Sequence, residues 1–240
     1  MNIKVIISGH SAGLGLALSE YYLSQGCTVL GLARRRMDDR PSERLQQYRI
    51  DLSDSRALSA WLASGLLQDF IRDADELVLI NNAATVAPNA IAGRQDALAI
   101  SRAVALNVTA PMLLSNAVIA AVPEALPLKI VHMSSGAGRH AYPGWSIYGA
   151  SKAALDQHAL CVAAEKHKNI NIISVAPGVI DTGMQAEIRA AAPDDFPILA
   201  RFQMLKEQGG LSNAEDVAKM IAAMIAAENF GETVLRDARE

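Results

Sequence analysis

The stretch Ile3-Lys4-Val5-Ile6-Ile7-Ser8-Gly9-His10-Ser11-Ala12-Gly13-Leu14-Gly15-Leu16-Ala17-Leu18 runs from an apolar segment through a glycine turn into a helical pattern. Ile3–Ser8 is short, β-rich and nearly continuous in apolar residues, as expected of a strand covered on both faces. Leu14, Leu18 and Tyr21 fall on one helical stripe after it. A glycine-rich turn between strand and helix lets the backbone approach a pyrophosphate, and the helix N-terminus adds free N–H donors and a positive dipole end. Gly9 permits the tight turn, and Gly13 and Gly15 permit close approach of ligand and sheet. His10, Ser11 and Leu14 lie in the same turn, His10 and Ser11 within reach of an adenosine ribose or its phosphate.

Similar apolar runs recur at Cys27–Leu32, Leu77–Asn81, Lys129–Met133, Ile170–Val175 and Thr233–Leu235, with a weaker one at Tyr48–Ile50. Helical stretches lie between them at Ser53–Leu67, Gln95–Val122, Ser146–Lys168 and Asn213–Ala227, with Asp51 or Ser53, and Asn213, as N-caps. Strands alternating with helices make βαβ units and a doubly wound parallel sheet, an α/β fold. No linker, repeat or low-complexity tract interrupts it, so residues 1–240 read as one domain. The exception is 178–211, rich in proline and glycine with a short helical piece at Met184–Ala191. A connection of that length reads as a substrate lid.

The formal net charge of −3 gives no support for a nucleic-acid partner. Two distant cysteines, Cys27 and Cys161, make neither a disulfide framework nor a metal cluster, so no metal is expected and a reducing, cytoplasmic setting is. The start reads as a strand and not as a signal peptide. Met112–Val122, the most apolar stretch, falls short of the about 20 residues that span a membrane, so no membrane association is expected.

An acid that binds the ribose of NAD is expected about 20 residues beyond the glycine turn. Here strand two runs into Leu32-Ala33-Arg34-Arg35-Arg36, with Asp38 and Asp39 too late. A small residue followed by arginine leaves room for a 2′-phosphate and offers it a multidentate donor. Arg34, then Arg35, therefore favour NADPH/NADP. Asp51, with Leu52 beside it, is placed to accept from the adenine amino group or to cap the next helix.

Gly9-His10-Ser11-Ala12-Gly13 also matches the nucleophile elbow of serine hydrolases. Only eight residues precede it, and the last histidine, His167, comes before the sixth strand, too early for a Ser…Asp…His order.

Tyr148 and Lys152 stand four apart on a helix, hence on one face. A phenol has pKa near 10, too high for easy proton transfer at neutral pH. An ammonium at ~4 Å and an effective dielectric of ~20 favours the phenolate by roughly 4 kcal/mol before desolvation. Such a pair suits acid–base chemistry on an alcohol or ketone.

With these residues the chain resembles the short-chain dehydrogenase/reductase family over nearly its whole length. The carriers are Gly9…Gly13…Gly15, Asn81-Asn82-Ala83-Ala84, Asn107, Ser134-Ser135, Tyr148…Lys152 and Pro177-Gly178…Thr182. The resemblance implies a seven-stranded sheet of order 3-2-1-4-5-6-7 and hydride transfer from nicotinamide without a metal. It implies that Tyr148 protonates the carbonyl oxygen, Ser135 hydrogen-bonds it, Lys152 holds the nicotinamide ribose and lowers the tyrosine pKa, and Asn107 supports a relay water. Asn81, Asn82, Ala83 and Ala84 fall beside the adenosine ribose, and Pro177, Gly178, Val179 and Thr182 at the nicotinamide. Ala84 replaces the family's usual glycine, and Ala12 stands where NADPH-dependent members often carry a basic residue.

Within the family the chain looks most like the sepiapterin reductase and benzil reductase branch, on Gly144-Trp145-Ser146 and Asp181-Thr182-Gly183-Met184-Gln185. Leu235 takes the place of the late aspartate that anchors a pterin, which argues against a pterin substrate. His140, Tyr142, Trp145, Met184, Ile188, Phe196 and Phe202 would line a pocket for a small aromatic or apolar ketone or diketone. The alternatives are a pterin reductase and a non-catalytic dinucleotide sensor. Alanine- and leucine-rich helices imply a homodimer or homotetramer.

Overall fold

The computed structural model describes residues 1–37 and 42–239; Asp38 and Asp39 lie outside the described residues. The chain runs β1 (Ile3–Ser8), α1 (Gly13–Ser24), β2 (Thr28–Ala33), β3 (Leu45–Arg49), α2 (Ser55–Leu62), α3 (Leu66–Ile71) and β4 (Glu76–Asn81). It continues α4 (Ala97–Val104), α5 (Ala110–Ala121), β5 (Leu128–Met133), α6 (Ser146–Ala164), β6 (Ile170–Ala176), α7 (Gly183–Arg189), α8 (Leu199–Glu207), α9 (Ala214–Ala226) and β7 (Leu235–Asp237). The seven strands are all parallel, in the order β3-β2-β1-β4-β5-β6-β7.

The apolar runs lack alternation because both faces of the sheet are covered. Successive strand side chains point to opposite faces. Val5, Ile7, Val29, Val78 and Ile80 pack on Leu14, Leu18 and Ile221 of α1 and α9. Ile6, Leu30, Leu79 and Ile130 pack on Leu58, Leu114, Val118 and Ala159 of α2, α5 and α6. Each such valine, leucine or isoleucine removed from water stabilises by about 1.5–3 kcal/mol.

Several boundaries differ from the sequence expectation for local reasons. The helix expected over Ser53–Leu67 ends at Leu62 and a second begins at Leu66 and runs to Ile71; Gly65 between them takes φ +85°, a left-handed conformation that interrupts a helical run. Neither Asp51 nor Ser53 caps α2; Asp54 does, accepting from the N–H groups of Arg56 and Ala57. Asn213 caps α9 as expected. β3 starts earlier, at Leu45, and β7 later, at Leu235. α8 was not foreseen at all, since its pattern is only weakly amphipathic.

Gln95–Val122 folds as α4 and α5 joined by a π-helical turn at Ala105–Thr109. Pro111 has no N–H for the carbonyl of Asn107 four residues back, and the helix widens at that point. By length and composition alone, Ala97–Ala121 is apolar enough to cross a membrane. Its inner face packs on the sheet and on α2, α3 and α6.

Candidate active site

A groove of about 920 Å³ runs across the C-terminal ends of the strands. The floor at one end is the glycine turn: Gly9, Ser11, Gly13 and Leu14 line it. Ser8, which the sequence reading passed over, ties this turn to the β4 loop. Its hydroxyl accepts from the N–H groups of Asn82 (2.9 Å) and Ala83 (3.0 Å). Asn82 Nδ2 in return donates to the Ser8 carbonyl at 3.0 Å. Gly15 lies beneath the groove and does not line it; a Cβ there would sit 2.1 Å from the Gly9 carbonyl oxygen. Its role is packing of helix on turn.

His10 corrects an expectation. Its ring is fully buried against Gly31 of β2 and donates from Nε2 to Gln47 Oε1 at 2.8 Å, away from the groove. Burial lowers its pKa, with the Gln47 bond opposing, so it stays neutral. Among the described residues no histidine hydrogen-bonds Ser11: His132 pairs with Asn81 and His158, and His167 with Glu165. The elbow pattern therefore has no triad around it. Asn81 also turns inward, to Ser115 and His132.

Ala33, Arg34, Arg35, Asp51 and Leu52 form the next part of the wall, with Asn82, Ala83 and Ala84 facing them. The Asp51 pKa is lowered, first by the Ser53 hydroxyl and then by the Ser53 N–H, with Arg34 and Arg102 also drawing it down and partial burial opposing. Arg102, from α4, was not anticipated. Nothing local in sequence marks it; the packing of α4 on α6 brings it there.

At the middle of the groove stand Ser135, Tyr148 and Lys152. Ser135 follows β5 and accepts from the N–H of Ala137 at 3.1 Å. Tyr148 and Lys152 share the buried face of α6, with the ammonium 5.7 Å from the phenol ring centroid. Lys152 Nζ donates to the Met133 carbonyl at 2.7 Å. Burial raises the Tyr148 pKa, and the hydrogen bond with Ser135 is what opposes the rise. This departs from the expectation that Lys152 lowers it: the ammonium sits over the ring and bonds to backbone. Lys152 itself is pushed down to about 8 by burial, with the Asp156 carboxylate acting in the other direction.

Asn107 is fully buried and does not line the groove. Its Oδ1 accepts from the N–H of Thr85, and its Nδ2 donates to the Thr85 carbonyl and to Ser151 Oγ. The side chain thus clamps the loop after β4, and Pro111 leaves its carbonyl without the α-helical donor.

At the far end, Tyr142, Trp145, Met184, Ile188 and Phe202 line the groove, and Pro177, Gly178, Val179 and Thr182 border it. Trp145 packs edge-on or tilted against Tyr148 (5.2 Å), Phe196 and Phe202 (both 5.1 Å), and donates to Asn89. Two expected pocket residues are elsewhere. Phe196 is fully buried behind Trp145, and His140 is exposed outside the groove. Its neighbour Arg139 turns inward instead, to Asp156 and to the carbonyls of Arg236 and Ser174. Gln185, Arg201 and Arg239 also border this end and were not foreseen.

Residues 4–193 match the model of the short chain dehydrogenase family. A benzil reductase ((S)-benzoin forming) of Bacillus cereus is 35% identical over 97% of this chain and 98% of its own. A sepiapterin reductase of Xenopus tropicalis is 28% identical over 95% of this chain and 93% of its own. The crystal structure of a short-chain dehydrogenase/reductase from Burkholderia vietnamiensis superposes with TM-score 0.73 at 36% identity, covering 100% of this chain and 98% of that one.

Proposed function

The chain belongs to the short-chain dehydrogenase/reductase family, and on that premise we propose that it uses NADPH to reduce a small aromatic or apolar ketone or diketone, with Tyr148 as proton donor. The observation that carries this is the meeting of Ser135 with the buried Tyr148 and Lys152 on one wall of the groove, between the glycine turn and the aromatic end. Benzil, named for the Bacillus cereus relative, is an aromatic diketone. An aromatic wall of Tyr142, Trp145 and Phe202 fits such a substrate.

The residues fit a nicotinamide dinucleotide. A side chain at Gly9 or Gly13 would meet Ala83 or Thr182 at 3.0–3.1 Å, so the turn keeps its backbone bare toward the groove. The cofactor supplies hydride from nicotinamide C4. Ser135 holds the carbonyl oxygen by hydrogen bonding, and the Tyr148 hydroxyl gives it a proton. A raised pKa keeps Tyr148 protonated through neutral pH, the form that carbonyl reduction needs. Lys152 binds the nicotinamide ribose as an ammonium. The segment 178–211 acts as the lid, with Met184, Ile188 and Phe202 excluding water from the reacting atoms.

Arg34 and Arg35, both exposed at the groove rim, take the 2′-phosphate. Removing both as Arg34→Ala/Arg35→Ala is expected to raise KM for NADPH about ten- to hundredfold, the range for charge-assisted bonds, and to leave KM for NADH nearly unchanged. Equal change for both cofactors refutes the assignment. Oxidation of NADPH and of NADH against a panel of aromatic diketones, pterins and aliphatic ketones tests the reading as a whole.

The pH profile is a further check. Lys152 has a pKa lowered to about 8, so it is an ammonium below that pH and loses its proton above it. Reduction is expected to be level at neutral pH and to decline through about pH 8 as ribose binding weakens. A profile flat to pH 10 contradicts this.

A further inference from the structure

Lys152 is 3% exposed, and one turn along α6 lies a second buried charged residue, Asp156, at 6% exposure. The groove does not include Asp156. A buried carboxylate is costly unless it is paired and hydrogen-bonded, and this one is held on both oxygens. Ser174 Oγ of β6 donates to Oδ1 at 2.6 Å, and Arg139 Nε donates to Oδ2 at 3.1 Å. Arg139 stands four residues past Ser135, at the end of the 3-10 turn Gly136–Gly138. Its remaining nitrogens reach the carbonyls of Arg236 on β7 (3.0 Å) and Ser174 (3.3 Å). One carboxylate therefore joins the loop that bears Ser135, the helix that bears Tyr148 and Lys152, and the two last strands of the sheet.

We propose that Asp156 is a positioning residue for the reaction: held by Arg139 and Ser174, it keeps the Lys152 ammonium charged and fixes the Ser135 loop against α6. It rests on the reading of Tyr148 and Lys152 as the acid–base pair. Residues four apart on a helix face each other, and a carboxylate at that range stabilises an ammonium inside a protein. It thus offsets the burial that draws Lys152 down. The other groups around Lys152 do not replace it. Tyr148 on α6 is a neutral phenol, and His132 on β5 is fully buried with a pKa of about 3, so it too is neutral. Asp237 on β7 is engaged by Arg239, and Arg102 on α4 acts on Asp51. Arg139 is the cation that tempers Asp156.

Two variants separate this role from simple support of the fold. Asp156→Asn keeps the size and an acceptor for Ser174 but removes the charge. The Lys152 titration, followed by the 13Cε shift in lysine-labelled protein and assigned by its loss in Lys152→Arg, is expected to move to lower pH by about one pH unit. The alkaline limb of kcat moves with it. Arg139→Gln leaves Asp156 less compensated, and both readouts are expected to move to higher pH. Opposite shifts cannot arise from loosening alone. Unchanged midpoints in both variants, even with activity lost, overturn the proposal. Opposite 13C shifts in a protein inactive toward every carbonyl tested would sustain the coupling while defeating the reductase reading.

Discussion

Tyr148→Phe keeps the fold and the cofactor groove and loses about three orders of magnitude in kcat for carbonyl reduction. Positioned proton transfer contributes typically 10²–10⁴-fold, and the hydroxyl is the only polar atom of this ring. Its removal leaves the ring packed on Trp145 at 5.2 Å and beneath Lys152 at 5.7 Å. Half-buried Ser135 keeps its bond from the Ala137 N–H, so its oxygen is not orphaned. Melting temperature and NADPH affinity by fluorescence should therefore stay near wild type while turnover collapses. A variant reducing diketones within tenfold of wild type would falsify the role given to the phenol. Because burial raises the Tyr148 pKa, the wild-type enzyme is also expected to favour reduction over alcohol oxidation at neutral pH. Oxidation needs the phenolate, the form that burial disfavours.

Gly15→Ala is the second large effect, and its sign is diagnostic. In an ordinary exposed helix interior, glycine to alanine stabilises by up to ~1 kcal/mol. Here the new methyl would lie 2.1 Å from the Gly9 carbonyl oxygen and 2.5 Å from Asn82 Nδ2. Both belong to the bonded unit that Ser8, Gly9 and Asn82 form, so neither yields cheaply. Overpacking of this kind costs roughly 1–3 kcal/mol or more. The shift of the turn should also weaken dinucleotide binding at least tenfold. Thermal denaturation without cofactor and a cofactor titration measure the two parts. A variant as stable as wild type, with unchanged cofactor affinity, refutes the contact.

The fold was legible because its signals are local. Val5, Ile6 and Ile7 announce a two-sided strand by composition alone, and Gly9, Gly13 and Gly15 mark the turn. The candidate site was legible in part. Ser135, Tyr148 and Lys152 come together at the groove, as do Arg34, Arg35, Tyr142, Trp145 and Phe202. His10 and His140 did not follow, since the side of a loop from which a side chain leaves depends on backbone that sequence periodicity does not describe. His10 turns against β2 because Gly31, twenty-one residues on, leaves a space there that no Cβ fills. Arg102 and Arg139 were missed for the converse reason: each is an ordinary surface arginine in sequence, placed by the packing of elements far from it.

The chain's residues, read alone, determined the parallel sheet between two helical layers, the glycine turn at its first strand and the tyrosine–lysine spacing on one helix face. Those follow from hydrogen-bond periodicity and side-chain size over a few neighbouring residues. Only the tertiary structure decided that burial dominates the Tyr148 hydroxyl, that Ser135 and not Lys152 opposes it, and that Asp156 stands one turn below Lys152 with Arg139 and Ser174 on its oxygens. Desolvation and charge coupling sum over every atom brought near. Those atoms come from segments as distant as Ser135, Asp156, Ser174 and Arg236, which meet only when the sheet closes around them.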